Sequence, residues 1–207
     1  MREAGAARVL VLSGLPRAFS AGVSVAEHVP EAGRIETMLA AMRGVLEALV
    51  NAPAVTLAAV SGACLGGGAE IALACDLVLV AEDARIGFPE IQLACFPPGA
   101  AALLPVRIGE ARAADWILTG RTISGKEAGQ AGFASRVCPA KALAAETDRL
   151  ASELLAKSPA ALSAALGMLR ASRRDALARL LPLAENAYRG LAGNEDLARA
   201  VEEFGKR

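Results

Sequence analysis

Two glutamates twenty positions apart, Glu70 and Glu90, are the residues of this sequence with the clearest chemical potential. Glu70 falls in the first turn of a short helix that follows Gly66-Gly67-Gly68, and Glu90 follows Gly87-Phe-Pro89 at the head of an apolar, proline-rich stretch. Glycines let a backbone N–H approach a ligand with no side chain in the way, and a helix N-terminus adds positive potential for an oxyanion. Two carboxylates beside such a donor could divide general base and general acid work in a hydrophobic pocket. The same spacing also fits two separately solvated glutamates.

Other chemistries lack parts. His28 is the single histidine, next to Val29-Pro30, and reads as an ordinary surface or packed residue; there is no G-x-S-x-G elbow, which argues against a serine triad. Gly120 to Gly125-Lys126 imitates a phosphate loop, but Glu127 stands where a hydroxyl is needed. The glycine triplet is not G-x-G-x-x-G, which leaves a dinucleotide site weak. Cys64, Cys75, Cys95 and Cys138 have no C-x-x-C spacing and read as free thiols buried in apolar runs. The basic group Arg170, Arg173 and Arg174 reads as a solvated helix junction within a charged break at 170–175.

The elements that must position the glutamates follow from periodicity. Residues 8–12 form an apolar run without alternation, predicting a strand covered on both faces. Apolar residues at helical spacing over 34–50 predict an amphipathic helix stopped by Asn51-Ala-Pro53. Residues 55–60 and 77–80 read as buried strands, 61–68 as a glycine-rich turn, and 70–74 as a short helix, so the order implies right-handed βαβ crossovers and a parallel sheet. The stretch 87–105 reads as irregular and lining something. Helices are expected over 110–118, from Ser124 with a Ser124/Glu127 capping box, from Pro159 behind a Ser158 cap, and after Gly193-Asn194. These readings divide the chain into a core over 1–139 and a helical region over 140–207 for packing and assembly.

Composition narrows the classes. The chain has 207 residues, 54% hydrophobic but only 3% aromatic, with 22 basic against 22 acidic residues. Such a chain buries a core without staples, so disorder is excluded. Net charge of zero supplies no field for nucleic acid or anionic lipid, Asp76 and the prolines interrupt the apolar runs a membrane span would need, and no export signal opens the chain. A cytoplasmic setting is expected.

Several blocks together resemble the enoyl-CoA hydratase/isomerase (crotonase) superfamily. They are Arg17-Ala-Phe-Ser-Ala-Gly-Val23, Ser61-Gly-Ala-Cys-Leu-Gly-Gly-Gly-Ala-Glu70, Ala74-Cys-Asp76, Ile86-Gly-Phe-Pro-Glu90, Leu118-Thr-Gly-Arg-Thr-Ile-Ser124 and Ala156-Lys-Ser-Pro159, in family order. Within it, Val23-Ser-Val-Ala-Glu-His28, Gly62-Ala-Cys-Leu65 and Ile91-Gln-Leu-Ala-Cys-Phe-Pro-Pro98 are most similar to cyclohexa-1,5-dienecarbonyl-CoA hydratases.

The resemblance implies an α/β fold: a crotonase-like spiral of βαβ units with C-terminal helices, here without the βα unit that members carry ahead of the first strand. It implies a homotrimer or dimer of trimers and an acyl-CoA thioester substrate, coenzyme A entering as part of the substrate and no metal or redox cofactor being needed. The thioester oxygen would sit between the N–H groups of Val23 and Gly67, an oxyanion hole. Glu70 is implied as the base that activates water and Glu90 as the acid that protonates carbon. Ala21, Gly22, Ser24, Gly66, Pro89 and Pro98 are implied to contact substrate. Ser24 stands where family members commonly have Asp, and Phe88 where Gln is common. The expected activity is a hydro-lyase adding water to an enoyl- or cyclic dienoyl-CoA in fatty acid or aromatic degradation. The alternatives are an isomerase working with one glutamate and a truncated, non-catalytic homologue.

Overall fold

The computed structural model describes residues 7–15, 17–28, 33–191 and 194–205. The chain begins with β1 (Val9–Ser13) and the short β2 (Ala18–Ser20), passes a 3-10 turn at Val25–His28, and enters α1 (Arg34–Val50). It then runs through β3 (Val55–Val60), β4 (Ala63–Leu65), α2 (Gly67–Ala74), β5 (Leu77–Ala81) and β6 (Arg85–Gly87). A 3-10 turn at Pro89–Leu93 leads to α3 (Pro98–Ile108), α4 (Glu110–Thr119), β7 (Ile123–Ser124), α5 (Gly125–Ala131) and β8 (Arg136–Cys138). Four helices finish the chain: α6 (Leu143–Leu155), α7 (Pro159–Leu169), α8 (Ala171–Leu191) and α9 (Glu195–Gly205).

Two sheets alternate along the chain. The longer strands pair in parallel in the order β1-β3-β5-β8, and the short ones form a second sheet, β2-β4-β6-β7, antiparallel only at β7. Long strand, short strand and helix therefore repeat as turns of a spiral. Gly62 makes the step from β3 to β4: its φ is +62°, and a Cβ there would stand 2.1 Å from the Arg17 carbonyl oxygen.

α1 and β3 fall on the residues periodicity indicated. Ile35, Met38, Leu39, Leu46, Leu49 and Val50 form the buried stripe of α1, and every residue of β3 is buried between its two neighbours. Trp116 and Phe133 pack in the same core with ring centroids 5.9 Å apart and planes tilted by 49°.

Four expectations change. β1 is not covered on both faces: Leu10 and Val11 are 44% and 40% exposed, and among the described residues β1 is the sheet's edge, pairing with β3 alone. The turn at 61–68 contains β4, a strand made by pairing with β2 and β6 rather than by any local pattern. The stretch 87–105 is not irregular throughout, since α3 begins at Pro98, where the missing proline N–H costs nothing in a first turn. The charged break at 170–175 is the single residue Arg170 between α7 and α8.

Arg170 is also not solvated. It is 1% exposed and binds Asp76 through Nε at 2.8 Å and through Nη2. Arg173 Nη2 reaches the same carboxylate at 2.6 Å, and the Thr56 N–H and hydroxyl donate to it at 2.8 and 2.9 Å. Arg107 donates to the carbonyls of Leu73 and Cys75, and Arg173 to that of Ala74, so guanidiniums cap the C-terminal carbonyls of α2. No helix among the described residues is long and apolar enough to cross a membrane.

Candidate active site

α2 positions the first glutamate. Gly66, at φ +52° and ψ −126°, swings the chain from β4 into the helix, and each glycine of the triplet then meets a different neighbour. A Cβ would stand 2.7 Å from Glu90 Oε1 at Gly66, 3.1 Å from Val23 Cγ2 at Gly67, and 2.6 Å from Ser20 Cβ at Gly68. The triplet is therefore a close-packed corner joining α2, the 21–23 segment and Glu90. Gly66→Ala is expected to fail there on both backbone and space: a left-handed alanine driven against the Glu90 carboxylate should lower the thermal midpoint and remove most turnover. Thermal unfolding beside a rate assay checks it.

The Gly67 N–H opens α2, so its own helix has no carbonyl for it. Gly22, at φ +94°, lies so close that a Cβ on it would stand 3.3 Å from Gly67 N, which brings the Val23 backbone beside the head of α2. Among the described residues no backbone carbonyl accepts from the Val23 or Gly67 N–H. Two unspent donors on adjacent segments are what an oxyanion would need.

Glu70 and Glu90 are both buried, but their surroundings differ. Burial raises the pKa of Glu70, while N–H groups of Ala100 and Gly99 oppose the rise by bonding the charged form. The Ala100 N–H donates to Glu70 Oε1 at 2.8 Å, and both residues lie in the first turn of α3, so the positive end of that helix faces the carboxylate. Glu90 has less support, from its own N–H alone. Its Oε2 is buried without a partner, and burial together with the Glu70 charge pushes its pKa up to about 8. The 3-10 turn holding it is closed by Ala94 in the left-handed region, with the Cys95 N–H and thiol both donating to the Glu90 carbonyl, at 3.2 and 3.4 Å.

Both glutamates open into one cavity of about 470 Å³. Ala21, Gly22, Val23, Gly66, Gly67, Pro89 and Pro98 line it with them. Ser24 does not: it is exposed, and its carbonyl accepts the Glu27 N–H at 2.9 Å at the start of the 3-10 turn. The apolar wall comes from Met38, Leu39, Met42 and Leu46 of α1, with Leu93 and Phe96 opposite. Among the described residues no three His, Cys, Asp or Glu side chains group as ligands for a metal ion.

Sequence reasoning missed several lining residues. α8 contributes Leu181, Glu185 and Tyr188 and α9 contributes Ala200 and Phe204; His28, read as a surface or packed residue, is packed, and it lines the wall. Arg43 Nε donates to Glu185 at 2.9 Å, closing an ion pair between α1 and α8. The only sequence signal for these was the apolar stripe of the helices, which does not say what they cover. The four cysteines are unpaired; three are buried and Cys138 is partly so, and burial holds the thiols of Cys64 and Cys75 at about 12.

The sequence profile of the enoyl-CoA hydratase/isomerase family matches residues 1–206. A cyclohexa-1,5-dienecarbonyl-CoA hydratase from Thauera aromatica is 40% identical over 131 residues, 63% of this chain and half the length of that protein. The 2,3-dehydroadipyl-CoA hydratase of Escherichia coli K12 is 34% identical over 199 residues, 95% of this chain and 77% of the relative. The crystal structure of an enoyl-CoA hydratase from Mycobacterium avium subsp. paratuberculosis K-10 superposes with a TM-score of 0.87 at 26% identity, covering 97% of this chain and 78% of that one.

Proposed function

The chain belongs to the enoyl-CoA hydratase/isomerase family, and from that premise we propose that it is a hydro-lyase adding water to an α,β-unsaturated acyl-CoA or a cyclic dienoyl-CoA. The observation that carries this reading is one cavity with two buried carboxylates in unequal hydrogen-bond environments, one held by the first turn of a helix and the other with an unpartnered oxygen.

In this reading each carboxylate takes one proton transfer. Glu70, ionised and held by the first turn of α3, takes a proton from water as the water oxygen bonds the β-carbon. The π pair moves through the α-carbon to the thioester oxygen, whose charge falls on the Val23 and Gly67 N–H groups. Glu90, protonated, delivers its proton to the α-carbon as the enolate collapses. Water's oxygen and one proton are then on the product, Glu70 holds water's other proton, and Glu90 has given one up. Transfer back from Glu70 to Glu90 through solvent resets the pair. No electron leaves the substrate, so coenzyme A enters only as part of the substrate and the proposal needs no metal or redox cofactor. Losing one oxyanion donor costs roughly 3–4 kcal/mol of barrier in comparable sites.

The pH profile should show the division of labour. Glu90 must carry its proton, so hydration is expected to fall about tenfold per pH unit as pH rises above about 8, the two carboxylates titrating as a coupled pair. On the acid side activity is lost where Glu70 protonates, above the ordinary carboxylate range. Loss of conjugated-thioester absorbance from crotonyl-CoA and cyclohexa-1,5-diene-1-carbonyl-CoA, followed over pH, tests both the activity and the profile. Hydration of neither substrate overturns the reading.

The assembly belongs to the proposal too. α7 buries none of its eleven residues, and Met168 and Leu169 are 78% and 71% exposed. An apolar face of this kind supports self-association, which we propose gives the trimer or paired trimers that the resemblance implies. Sedimentation should find multiples of three chains, and Met168→Glu with Leu169→Glu should shift the protein towards monomer. The unpaired thiols support a reducing, cytoplasmic setting.

A further inference from the structure

The cavity has a second polar feature that the proposed mechanism leaves unused. His28 Nδ1 and Tyr188 Oη share a hydrogen bond of 2.5 Å between residues 160 positions apart, and both side chains line the cavity. Tyr188 is fixed on its other sides by the Cys95 thiol and by Phe96, whose ring centroid lies 6.0 Å away. Cys95 in turn donates to the Glu90 carbonyl, so the pair is tied to the catalytic turn. Neither ring is there as filling alone: each is a buried polar group, and such groups are costly beside hydrocarbon unless their hydrogen bonds are met.

The hydrogen-bond count leaves a vacancy of chemistry. A neutral imidazole and a phenol hold two protons, and their shared bond uses one. If the phenol donates to Nδ1, the His28 Nε2–H is a spare donor among the described residues; if Nδ1–H donates, the phenol proton turns to the Cys95 sulfur and Nε2 is a spare acceptor. Burial lowers the His28 pKa against the opposing charge of Glu27, and burial raises that of Tyr188, so both are uncharged at neutral pH. The cation in the wall, Arg43, is already committed to Glu185, and the Gln92 amide donates outward to Gly120 O at 3.1 Å.

We infer that the His28–Tyr188 pair is a specificity anchor for an uncharged oxygen, hydroxyl or ketone, on the acyl group away from its thioester end. This rests on the thioester reading of the site. A neutral anchor that can present either a donor or an acceptor suits a hydroxyl or a carbonyl. Among the described residues, a carboxylate would find no free cation in the wall. The substrate class is then oxygenated rather than purely hydrocarbon or dicarboxylic acyl thioesters.

Binding of saturated thioesters tests this without turnover. Calorimetry compares 6-hydroxyhexanoyl-CoA with heptanoyl-CoA, 5-oxohexanoyl-CoA with 5-methylhexanoyl-CoA, and adipoyl-CoA as the charged member. At least one oxygenated ligand should bind about tenfold more tightly than its carbon isostere and more tightly than adipoyl-CoA, the arm that wins identifying hydroxyl or ketone. In Tyr188→Phe and in His28→Leu that ratio should collapse towards one, and either folded variant suffices. Equal binding of oxygenated ligands and isosteres overturns the anchor, as does a preference that survives both substitutions or tightest binding of adipoyl-CoA. Failure of all five to bind overturns instead the thioester reading on which the anchor depends.

Discussion

Glu90→Gln is expected to lower kcat for hydration by about a thousandfold or more while leaving KM within a few-fold, because an amide fills the same space but has no proton to give carbon. Glu70→Gln should cost as much for the complementary reason: the Ala100 N–H keeps a neutral acceptor, and water loses its base. The two variants part company in stability. Glu90 Oε2 is buried without a partner and its carboxylate is disfavoured by burial and by Glu70, so the neutral amide relieves a strain of function. Glu90→Gln should therefore unfold at a higher temperature than the parent. Burial also raises the Glu70 pKa, but the Ala100 and Gly99 N–H groups at the N-terminus of α3 offset part of that cost, so Glu70→Gln should gain less than Glu90→Gln. Single-turnover kinetics and thermal unfolding on the same preparations check the set. Normal turnover in Glu90→Gln would end the two-carboxylate mechanism and favour one-glutamate isomerisation.

That asymmetry between the glutamates could not be read from the sequence, although the glutamates themselves could. Gly66-Gly67-Gly68 before Glu70 and Pro89 before Glu90 are local patterns, and local patterns are what a sequence displays. What separates the two carboxylates is the first turn of α3, which lies in a proline-rich stretch that periodicity reads as irregular. α1 and β3 were legible for the opposite reason, since a stripe of apolar residues ended by Asn51 and Pro53, and an unbroken buried strand, carry their own signals. β4 and β6, three residues each, exist through pairing with strands distant in the chain and have no period long enough to see. The exposure of β1 is likewise a matter of its neighbours: the same apolar run would suit a central strand. His28 and Tyr188, 160 residues apart, meet only because α8 folds back over α1.

Asp76→Asn should be the most destabilising single substitution outside the cavity, costing about 3–5 kcal/mol, because it strands buried cations rather than merely deleting a bond. Asp76 is the one carboxylate in contact with Arg170 and Arg173 among the described residues, and an asparagine amide would turn a donor towards at least one guanidinium. Exposed ion pairs set the scale: Asp175→Asn breaks a pair with Arg179 whose partners are both in solvent and should cost under about 1 kcal/mol. Acid titration gives an independent reading. Burial alone would raise the Asp76 pKa, but Arg170, the Thr56 N–H and Arg173 outweigh it and hold it at about 2, against 3.8 for a free aspartate. A depressed folded-state value means that the stabilisation is complete above about pH 4 and drains away as pH falls towards 2. Urea unfolding of the parent at several pH values in that window should show this loss, and the Asn variant, with nothing left to protonate at position 76, should show less of it. The consequence reaches the site through α2. Its C-terminal carbonyls are held by Arg107 and Arg173 while its N-terminus presents Gly67 and Glu70, so a helix of eight residues has its charged clamp at one end and its chemistry at the other. Loosening the clamp should therefore lower kcat in protein that is still folded, whereas an Asp76→Asn variant with full turnover and Asp175-like stability would show that the arginines cap α2 without needing their counter-charge.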